Sequence, residues 1–338
     1  MLLLQQSFAF TMVESSQVGQ ARRAAAAFAT SLGFDETRQG TLALIITEVA
    51  NNLVRHATEG ELFLRMLEAG DALGIEITSV DRGPGMTSVS QCMQDGYSTG
   101  GTAGNGMGAI ARLSDRWDIY SIPGEGTVLV SQIWARAGSP PLGPMELGVI
   151  NRPKPGQEVC GDFWAVEHRA GRSLFFLADG LGHGPDAALA SLEAVRAFRK
   201  NAARRPKETL EAVHAAIHKT RGVAAALAEI DFEKRQVCFA GIGNIAGTIY
   251  TPGQSQSMVS HNGIVGHQVR KVQEFLYPWV PQALLILHSD GLSQRWLLDR
   301  YTGLTVRPPS LIAGVLYRDF QRQSDDATVL VARERRES

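Results

Sequence analysis

Five aspartates in the second half of the chain stand beside hydrophobic runs, where a short strand would begin or end. They lie in the segments CGDFW, ADGLGHG, HSDGL and SDDATVL, and they are Asp162, Asp179, Asp290, Asp325 and Asp326. Carboxylates at strand ends can converge on one cleft from distant positions in a chain. Hard oxygen ligands without cysteine or histidine partners select Mg²⁺ or Mn²⁺ over zinc. Two such ions about 3.5–4 Å apart would activate a bridging water and clamp a phosphoryl group for in-line attack.

Each aspartate taken alone has a plainer explanation, because Asp-Gly is common turn chemistry. The set of segments favours a metal site. ADGLGHG is the most informative of them, since a strand ends at Asp179, the carbonyl of Gly180 faces the site, and glycines let the chain turn into a helix. We interpret His183 in this segment as shaping the loop rather than binding metal.

A second constellation lies in the first half, where Glu48, Asn52 and His56 recur at every fourth residue of TEVANNLVRHA. This spacing places the three side chains on one face of a helix. A carboxylate, an amide and an imidazole so arranged can hold a hydrated Mg²⁺ and polarise a nucleophile beside a triphosphate. A solvated polar stripe on a surface helix is the alternative explanation for this motif alone.

Two glycine-rich segments follow that helix. In SVDRGPGM, Asp81 precedes Gly83 and Gly85, so the backbone can approach a planar ligand while the carboxylate accepts a hydrogen bond from an adenine amino group. In GTAGNGMGAIARLSD, alternating glycines precede a helix whose N–H groups can approach phosphates, and they are Gly104, Gly106 and Gly108. An ordinary turn would explain either segment alone, whereas all three elements in this order favour an ATP site.

Hydrophobic periodicity predicts the elements that position these residues. In the first half, helices are predicted at 17–32, 35–57 and 107–115, and strands at 61–68, 73–80, 117–122 and 127–134, while the opening segment resembles an edge strand. Residues 136–145 contain three prolines and two glycines and are predicted to be a linker. In the second half, helices are predicted at 185–199, 207–220 and 309–320, and strands at 160–168, 173–178, 223–231, 236–242, 246–251, 283–288 and 327–332. Many strands with few helices predict stacked sheets with helices outside.

Composition narrows the class of protein. A length of 338 residues predicts about two domains, and a net charge of −1 without a long basic run argues against partners such as nucleic acid or an anionic membrane. Three widely spaced cysteines form neither a disulfide framework nor a zinc pattern. No apolar stretch approaches the roughly 18 residues of a membrane helix, and the start lacks the features of a signal peptide. We therefore expect a soluble cytoplasmic protein with reduced thiols.

Residues 15–134 resemble the GHKL ATPase and kinase superfamily, most closely the short-lid serine kinases that act on anti-sigma-factor systems. The resemblance implies that Glu48 assists the acceptor hydroxyl or water, that Asn52 binds Mg²⁺, and that Asp81 reads adenine. It further implies an adenine-side turn at Gly83 and Gly85, a residue near adenine at Thr127, phosphate contacts at Gly104, Gly106 and Gly108, and a phosphate-side supporting role for His56. Arg82 departs from the family pattern, which has a small polar residue after the aspartate.

Residues 146–333 resemble the SpoIIE-type branch of the metal-dependent serine/threonine phosphatases, through GD, DGxGHG, SDG and DDAT in the family order. The resemblance implies that Asp179 bridges two metal ions, that Gly180 donates its carbonyl, and that Asp162, Asp290 and Asp325 each bind one ion. Asp326 competes with Asp325 for the last role, which the family order gives to the first of the pair. The helices at 185–199 and 207–220 match the segment that couples partner binding to metal-site assembly in that family.

The two resemblances together imply an α+β protein. We expect a GHKL α/β sandwich with helices on one face of a mixed sheet at 1–135, a linker at 136–145, and an α-β-β-α phosphatase sandwich of two stacked sheets at 146–338. ATP with Mg²⁺ is the expected cofactor of the first domain, and two Mn²⁺ or Mg²⁺ ions that of the second.

The implied function is that of a bifunctional partner-switching regulator. Its substrate would be a phosphorylated STAS-domain anti-sigma antagonist or a stressosome-like protein, and a sigma factor, an upstream sensor or a second copy of the chain are further expected partners. The alternative makes the first domain a non-catalytic ATP sensor or partner-binding module that gates the phosphatase. A pair of inactive scaffolds is disfavoured, because no metal-site carboxylate is substituted.

Overall fold

The computed structural model describes residues 7–93, 106–136, 138 and 143–335. The chain forms two compact units. Unit 1 contains Met1–Leu142 and Val306–Arg318, and unit 2 contains Gly143–Thr305 and Asp319–Ser338. The first passage between the units falls within the predicted linker, whereas the segment Val306–Arg318, expected in the second domain, belongs to unit 1.

The elements up to residue 136 carry the predicted nucleotide motifs. They are β1 (Ser7–Thr11), α1 (Ser15–Ser31), α2 (Glu36–His56), β2 (Glu61–Ala69), β3 (Ala72–Asp81), α3 (Val89–Cys92), α4 (Gly106–Leu113), β4 (Arg116–Ile122) and β5 (Gly126–Trp134). Helix α2 begins after Asp35, whose side chain accepts a hydrogen bond from the amide of Arg38, because an N-cap carboxylate satisfies an otherwise unpaired helical donor. The short helix α3 is absent from the sequence prediction.

The sheet of unit 1 has the strand order β1-β2-β3-β5-β4, with β1 at an edge as predicted. Every pairing among its described strands is antiparallel, where a mixed sheet was expected. Tight turns at Gly70 and Gly124, both with positive φ, join β2 to β3 and β4 to β5, and such hairpins impose antiparallel pairing. Alternate residues of β3, including Ile75 and Ile77, pack against α1 and α2 in one apolar core.

The remaining elements contain or flank the predicted aspartates. They are β6 (Met145–Arg152), β7 (Asp162–Arg169), β8 (Arg172–Gly180), α5 (Pro185–Asn201), α6 (Pro206–Ala216), β9 (Val223–Asp231), β10 (Gln236–Ile242), β11 (Ala246–Thr251), β12 (Gln254–Met258), β13 (Ser260–His261), β14 (Phe275–Pro278), β15 (Leu284–His288), α7 (Pro309–Phe320) and β16 (Ala327–Glu334). Strands β6, β12, β13 and β14 are absent from the sequence prediction.

Two stacked sheets form unit 2, as predicted. One has the order β13-β10-β9-β8-β7 with β14 beside β10, and the other has the order β12-β11-β15-β16-β6. Side chains of both sheets, such as Phe175 and Leu285, share one core. The neighbouring residue Phe176 points to the opposite face of β8 and stacks on Phe198 of α5, with ring centroids 4.8 Å apart. The alternation along β8 therefore builds both the core between the sheets and the helix layer.

Helix α7 covers the second face of the unit 1 sheet. Every residue from Pro309 to Arg318 is buried, which is typical of a helix without a polar face. Ser310 Oγ donates a 2.7 Å hydrogen bond to Glu76 Oε2, and Tyr317 OH donates a 2.6 Å hydrogen bond to Glu61 Oε2. These polar contacts join α7 to β2 and β3 of unit 1.

Among the described helices, none combines the length and the hydropathy that crossing a bilayer requires. All three cysteines are free thiols, and Cys160 and Cys238 are buried while Cys92 is half-buried.

Candidate functional site

The aspartates of unit 2 lie at strand ends, as predicted. Asp162 begins β7 and pairs in register with Asp179 near the end of β8. Asp290 follows β15 after one residue, and Asp325 and Asp326 precede β16. Ser289 Oγ in the second sheet donates a 2.6 Å hydrogen bond to Asp162 Oδ2 in the first sheet. The two sheets therefore bring these carboxylates to one end of the sandwich.

Mutual repulsion identifies these side chains as one electrostatic cluster. Burial, followed by the charges of Asp162, Asp290, Asp325 and Asp326, raises the pKa of Asp179 to about 10. Burial also raises the pKa of Asp162 to about 7, although hydrogen bonds from Ser289 and Thr328 oppose the rise. Carboxylates that oppose one another's ionisation in this way are stabilised by a positive charge among them.

Two carboxylate oxygens of the cluster are suited to a cation. Asp162 Oδ1 and Asp326 Oδ2 are buried and make no hydrogen bond to the described residues. Buried polar atoms normally have partners, so each oxygen is available to a hard cation. Within the described ranges, no three side chains of histidine, cysteine, aspartate or glutamate are spaced as a ready-made metal cage. Mg²⁺ commonly keeps several waters and uses only one or two carboxylates, so the donor set fits hydrated ions.

The adjacent aspartates face different neighbours. Asp326 Oδ1 accepts a 2.8 Å hydrogen bond from the amide of Lys154, and its charge raises the pKa of Asp162. The charge of Asp325 raises the pKa of both Asp179 and Asp290, in each case after the effect of burial. Both residues of the pair therefore contribute to the cluster. The exposed side chain of His183 fits the loop role that the sequence suggested.

Glycines beside the aspartates permit close backbone contacts. A Cβ atom on Gly180 would lie 2.1 Å from the carbonyl oxygen of Ala187, and one on Gly291 would lie 1.9 Å from that of Asp326. Neither glycine has the positive φ that would make it a turn residue of the left-handed region. In both Asp-Gly pairs, the glycine therefore lies where two segments of the backbone are in direct contact. An ordinary Asp-Gly turn would not require such a contact.

Sequence reasoning missed two polar contacts to the cluster. Asn244 Nδ2 donates a 2.7 Å hydrogen bond to Asp290 Oδ2, and Ser289 holds Asp162 while its hydroxyl oxygen accepts from the amide of Thr328. Ser289 directly precedes Asp290 in the SDG motif, so the sequence could have indicated that Ser289 lies near the cluster. Asn244 lies in the loop between β10 and β11, and no spacing connects it with Asp290 in the sequence.

In unit 1, the structure brings two of the three predicted nucleotide elements together around α2. Glu48 and Asn52 are half-buried on that helix. A Cβ atom on Gly106, at the start of α4, would lie 2.7 Å from Glu48 Oε2 and 3.7 Å from Asn52 Oδ1. Gly108 is buried within α4, and Gly104 lies outside the described residues. The acidic and amide groups therefore stand beside the start of α4, where a phosphate chain is expected to bind.

The third element lies at the end of β3. Asp81 pairs in register with Thr127 of β5, and its Oδ1 accepts a 2.7 Å hydrogen bond from the amide of Gly83. Burial raises the pKa of Asp81, and the hydrogen bond from Gly83 and the charge of Arg318 oppose that rise. The predicted turn is tight, since a Cβ atom on Gly85 (φ +66°) would lie 2.1 Å from the carbonyl oxygen of Ile122.

His56 connects α2 with this turn through its backbone. A Cβ atom on Gly83 would lie 2.8 Å from the carbonyl oxygen of His56 at the end of α2. The imidazole itself is exposed. The turn at Gly83 and Gly85 therefore packs directly against the helix that carries Glu48 and Asn52.

Comparison with known proteins identifies both halves. Residues 12–133 match the histidine kinase-like ATPase domain family, and residues 169–335 match the family of stage II sporulation protein E (SpoIIE). The serine/threonine-protein kinase RsbT of Bacillus subtilis (strain 168) is 32% identical over 108 residues, which are 32% of this chain and 81% of RsbT. The chain belongs to the histidine kinase-like ATPase domain family. Its histidine kinase-like part corresponds to unit 1 without Val306–Arg318, and its SpoIIE part includes that segment.

Relatives of the SpoIIE part are also similar in sequence and fold. The phosphoserine phosphatase RsbX of Bacillus subtilis (strain 168) is 28% identical over 142 residues, which are 41% of this chain and 71% of RsbX. A crystal structure of RsbX in complex with magnesium has a TM-score of 0.51 at 22% identity and covers 56% of this chain and 96% of that one. A structure from work on the bacterial stressosome has a TM-score of 0.53 at 24% identity and covers 56% of this chain and all of that one. These similarities give the fold of the SpoIIE part.

Proposed function

We propose that the chain is a partner-switching regulator with two opposing activities. Unit 2 would hydrolyse phosphoserine or phosphothreonine on a protein partner, and unit 1 would bind ATP with Mg²⁺ and phosphorylate or bind the same partner. The observation that supports the hydrolase most is the cluster of five aspartates at one end of the unit 2 sandwich, with its repelling charges. The match of residues 169–335 to the SpoIIE family supports the same activity.

Two Mn²⁺ or Mg²⁺ ions are the proposed cofactors of unit 2. The residues that would hold them are Asp162, Asp179, the carbonyl of Gly180, Asp290 and Asp325, with Asp326 as a further carboxylate. When bound, such ions supply a nucleophilic water and positive charge at the phosphoryl group. Ser289 and Asn244 fix two of the carboxylates by hydrogen bonds, and metal binding would displace the proton that the raised pKa keeps on Asp179.

In unit 1, Glu48 is proposed to assist the acceptor hydroxyl and Asn52 to hold Mg²⁺. Asp81, with the turn at Gly83 and Gly85, would bind adenine. The proximity of Gly106 to both α2 side chains supports a phosphate chain at this place. The second candidate function, a sensor that binds ATP without transferring phosphate, shares this geometry.

The proposed partner is a STAS-domain anti-sigma antagonist or a stressosome-like protein. The sequence similarity to RsbT, a serine/threonine-protein kinase, and to RsbX, a phosphoserine phosphatase, supports a phosphorylated protein as the common substrate. A sigma factor or an upstream sensor is a further proposed partner, and the cytoplasm is the proposed location. Because one part of the chain is similar to a kinase and the other part to a phosphatase, we propose that both act on one phosphorylation site.

Phosphate release tests the phosphatase. The full chain with Mn²⁺ and a serine-phosphorylated STAS-domain protein is expected to release phosphate, and Asp179→Asn is expected to abolish release. Asp186→Asn is the matched control, because this aspartate lies on α5 in an exposed pair with Arg221. Equal release by Asp179→Asn and the wild type would contradict the proposed site.

Labelled ATP separates the two functions of unit 1. Transfer to the unphosphorylated partner that is lost in Glu48→Ala would support a kinase. Binding of ATP without transfer by the wild type would support the sensor. The absence of nucleotide binding would contradict both.

A further inference from the structure

A cavity of about 250 Å³ lies beside the aspartate cluster, on the outer face of the second sheet of unit 2. It is larger than a cavity of about 150 Å³ that can bind benzene, so an amino-acid side chain fits inside it. Ile249 and Leu287 point into the core between the sheets, so the neighbouring side chains of Thr248 and His288 face away from that core. We call it the β11 cavity, and its lining includes Ala246, Thr248, Ser257, His288, Gln294 and Trp296.

Asn244 connects the β11 cavity with the aspartate cluster. It lines the cavity, and its Nδ2 donates a 2.7 Å hydrogen bond to Asp290 Oδ2. His288, which also lines the cavity, precedes Asp290 by two residues. An extended chain advances about 3.3 Å per residue, so a side chain one or two residues from a phosphoserine at the cluster reaches the cavity.

The lining of the β11 cavity offers hydrogen bonds without a charged side chain. Among the described residues that form it, none is aspartate, glutamate, lysine or arginine. His288 is uncharged in this arrangement, since its Nε2 accepts a 3.4 Å hydrogen bond from Trp296 Nε1 while its Nδ1 lies 2.9 Å from the carbonyl oxygen of Ser289. A charged ligand would therefore lose hydration in the cavity without gaining an opposite charge.

Thr248 contributes a hydroxyl that is available to a ligand. The residue is 7% exposed and lines the cavity, and its side chain makes no hydrogen bond to the residues that the structure describes. Buried hydroxyls normally have partners, so this one can bind a polar group inside the cavity. Ser257, which pairs in register with Thr248, and Gln294 bring a second hydroxyl and an amide to the exposed rim.

We propose that the β11 cavity is a specificity pocket of the phosphatase, which binds an uncharged, hydrogen-bonding side chain close to the phosphorylated residue of the partner protein. The inference rests on the proposed hydrolysis of phosphoserine or phosphothreonine by unit 2. The side chain of glutamine both donates and accepts, so it can pair with Thr248 and with the polar rim. A leucine side chain would fill the same space and leave the hydroxyl of Thr248 unpaired.

Phosphate release from synthetic peptides by the full chain with Mn²⁺ tests the proposal. Each peptide carries one phosphoserine, and glutamine, leucine, glutamate or lysine replaces alanine at one of the two positions on either side of it. A small substrate without flanking residues, p-nitrophenyl phosphate, reports the chemistry alone. The variants are Thr248→Val, Thr248→Ser and Ser257→Trp. Ser255→Trp is the matched control, because Ser255 is exposed two residues earlier on β12 and is not among the described residues that line the cavity.

We expect the wild type to hydrolyse one glutamine peptide with a kcat/KM about tenfold above those of its leucine, glutamate and lysine counterparts. Thr248→Val keeps the shape of the side chain and removes the hydroxyl, so it should abolish the preference for glutamine over leucine, whereas Thr248→Ser should retain it. Ser257→Trp should lower kcat/KM for the glutamine peptide about tenfold relative to that for p-nitrophenyl phosphate, because the indole would block the rim. Ser255→Trp should behave as the wild type does.

The failures of the two proposals are distinguishable. If the wild type hydrolyses neither the peptides nor p-nitrophenyl phosphate, the proposed function of unit 2 is wrong. If it hydrolyses p-nitrophenyl phosphate but shows no preference among the peptides, or if Thr248→Val keeps the preference, the inference about the β11 cavity is overturned. Should Thr248→Val not fold, Ser257→Trp decides, and equal losses for peptide and small substrate would contradict a separate pocket.

Discussion

Replacing Asp179 by asparagine should stabilise the metal-free protein while removing its activity. The substitution keeps the shape of the side chain and removes one ionisable carboxyl from a cluster of five. Keeping a carboxyl of ordinary pKa 3.8 protonated at pH 8 costs about 1.4 kcal/mol per pH unit, which sets a ceiling of about 6 kcal/mol. Structural relaxation and water reduce this cost, so we expect a gain on the order of 2 kcal/mol.

The sign of the pH dependence follows from the raised pKa. Between about pH 4 and the folded value near 10, folded Asp179 binds more protons than the unfolded chain. The free energy of unfolding of the wild type therefore falls as pH rises through this window. Asp179→Asn lacks this pH dependence, because asparagine does not titrate. The difference between the two proteins should be small at pH 5 and large at pH 8.

Thermal unfolding with EDTA and with Mn²⁺ measures both effects. In EDTA at pH 8, Asp179→Asn should melt about 4–8 °C above the wild type. Saturating Mn²⁺ should raise the melting temperature of the wild type, because a ligand of the folded state adds about 2.7 kcal/mol at one hundred times its Kd. The variant should respond little to Mn²⁺, and the Asp186→Asn control should behave as the wild type does.

Two results would refute this reasoning. A variant that melts below the wild type in EDTA at pH 8 would show that the carboxylates do not repel one another as described. An equal response of both proteins to Mn²⁺ would show that Asp179 is not a metal ligand.

Three glycine substitutions extend the test to the surrounding backbone. Gly291→Ala should lower phosphate release at least tenfold and weaken the Mn²⁺ response, because its Cβ would lie 1.9 Å from the carbonyl oxygen of Asp326. Gly85→Ala should weaken ATP binding in calorimetry with phosphate release retained, since the added Cβ would meet the carbonyl oxygen of Ile122 at 2.1 Å. Gly314→Val should lower the free energy of unfolding in urea by about 1–3 kcal/mol, because even a Cβ there would lie 2.5 Å from a side chain of β5. Gly40→Ala, which meets nothing within 4 Å, is the common control. It should leave phosphate release and ATP binding unchanged and should not lower the free energy of unfolding, because alanine is favoured over glycine inside α2.

Elements with strong local signals could be predicted from the sequence. Helix α2 was expected at 35–57 and runs from Glu36 to His56, because an N-cap aspartate and a continuous apolar stripe mark it. Strand β12 (Gln254–Met258) was missed since its sequence, QSQSM, is mostly polar and exposed, without apolar alternation. Its place in the sheet comes from pairing with β11, which no local pattern reveals.

The bounds of α7 could be predicted, but its position could not. Apolar residues indicate a buried helix at 309–320, and they do not say which sheet the helix covers. The decisive contacts join Ser310 to Glu76 and Tyr317 to Glu61, across more than 200 residues of sequence. For the same reason, the sequence motifs could identify the aspartates, whereas the hydrogen bond from Asn244 to Asp290 could be found only in the folded structure.

The assignment of Val306–Arg318 to unit 1 means that the polypeptide passes between the units three times. Cleavage of the 136–145 linker by a protease would therefore leave two fragments that still share a folded unit and should purify together. A gene truncated after residue 142 would encode a kinase-like fragment that lacks the helix over one face of its sheet. An exchange of either half for that of a relative would therefore separate α7 from the sheet that it covers.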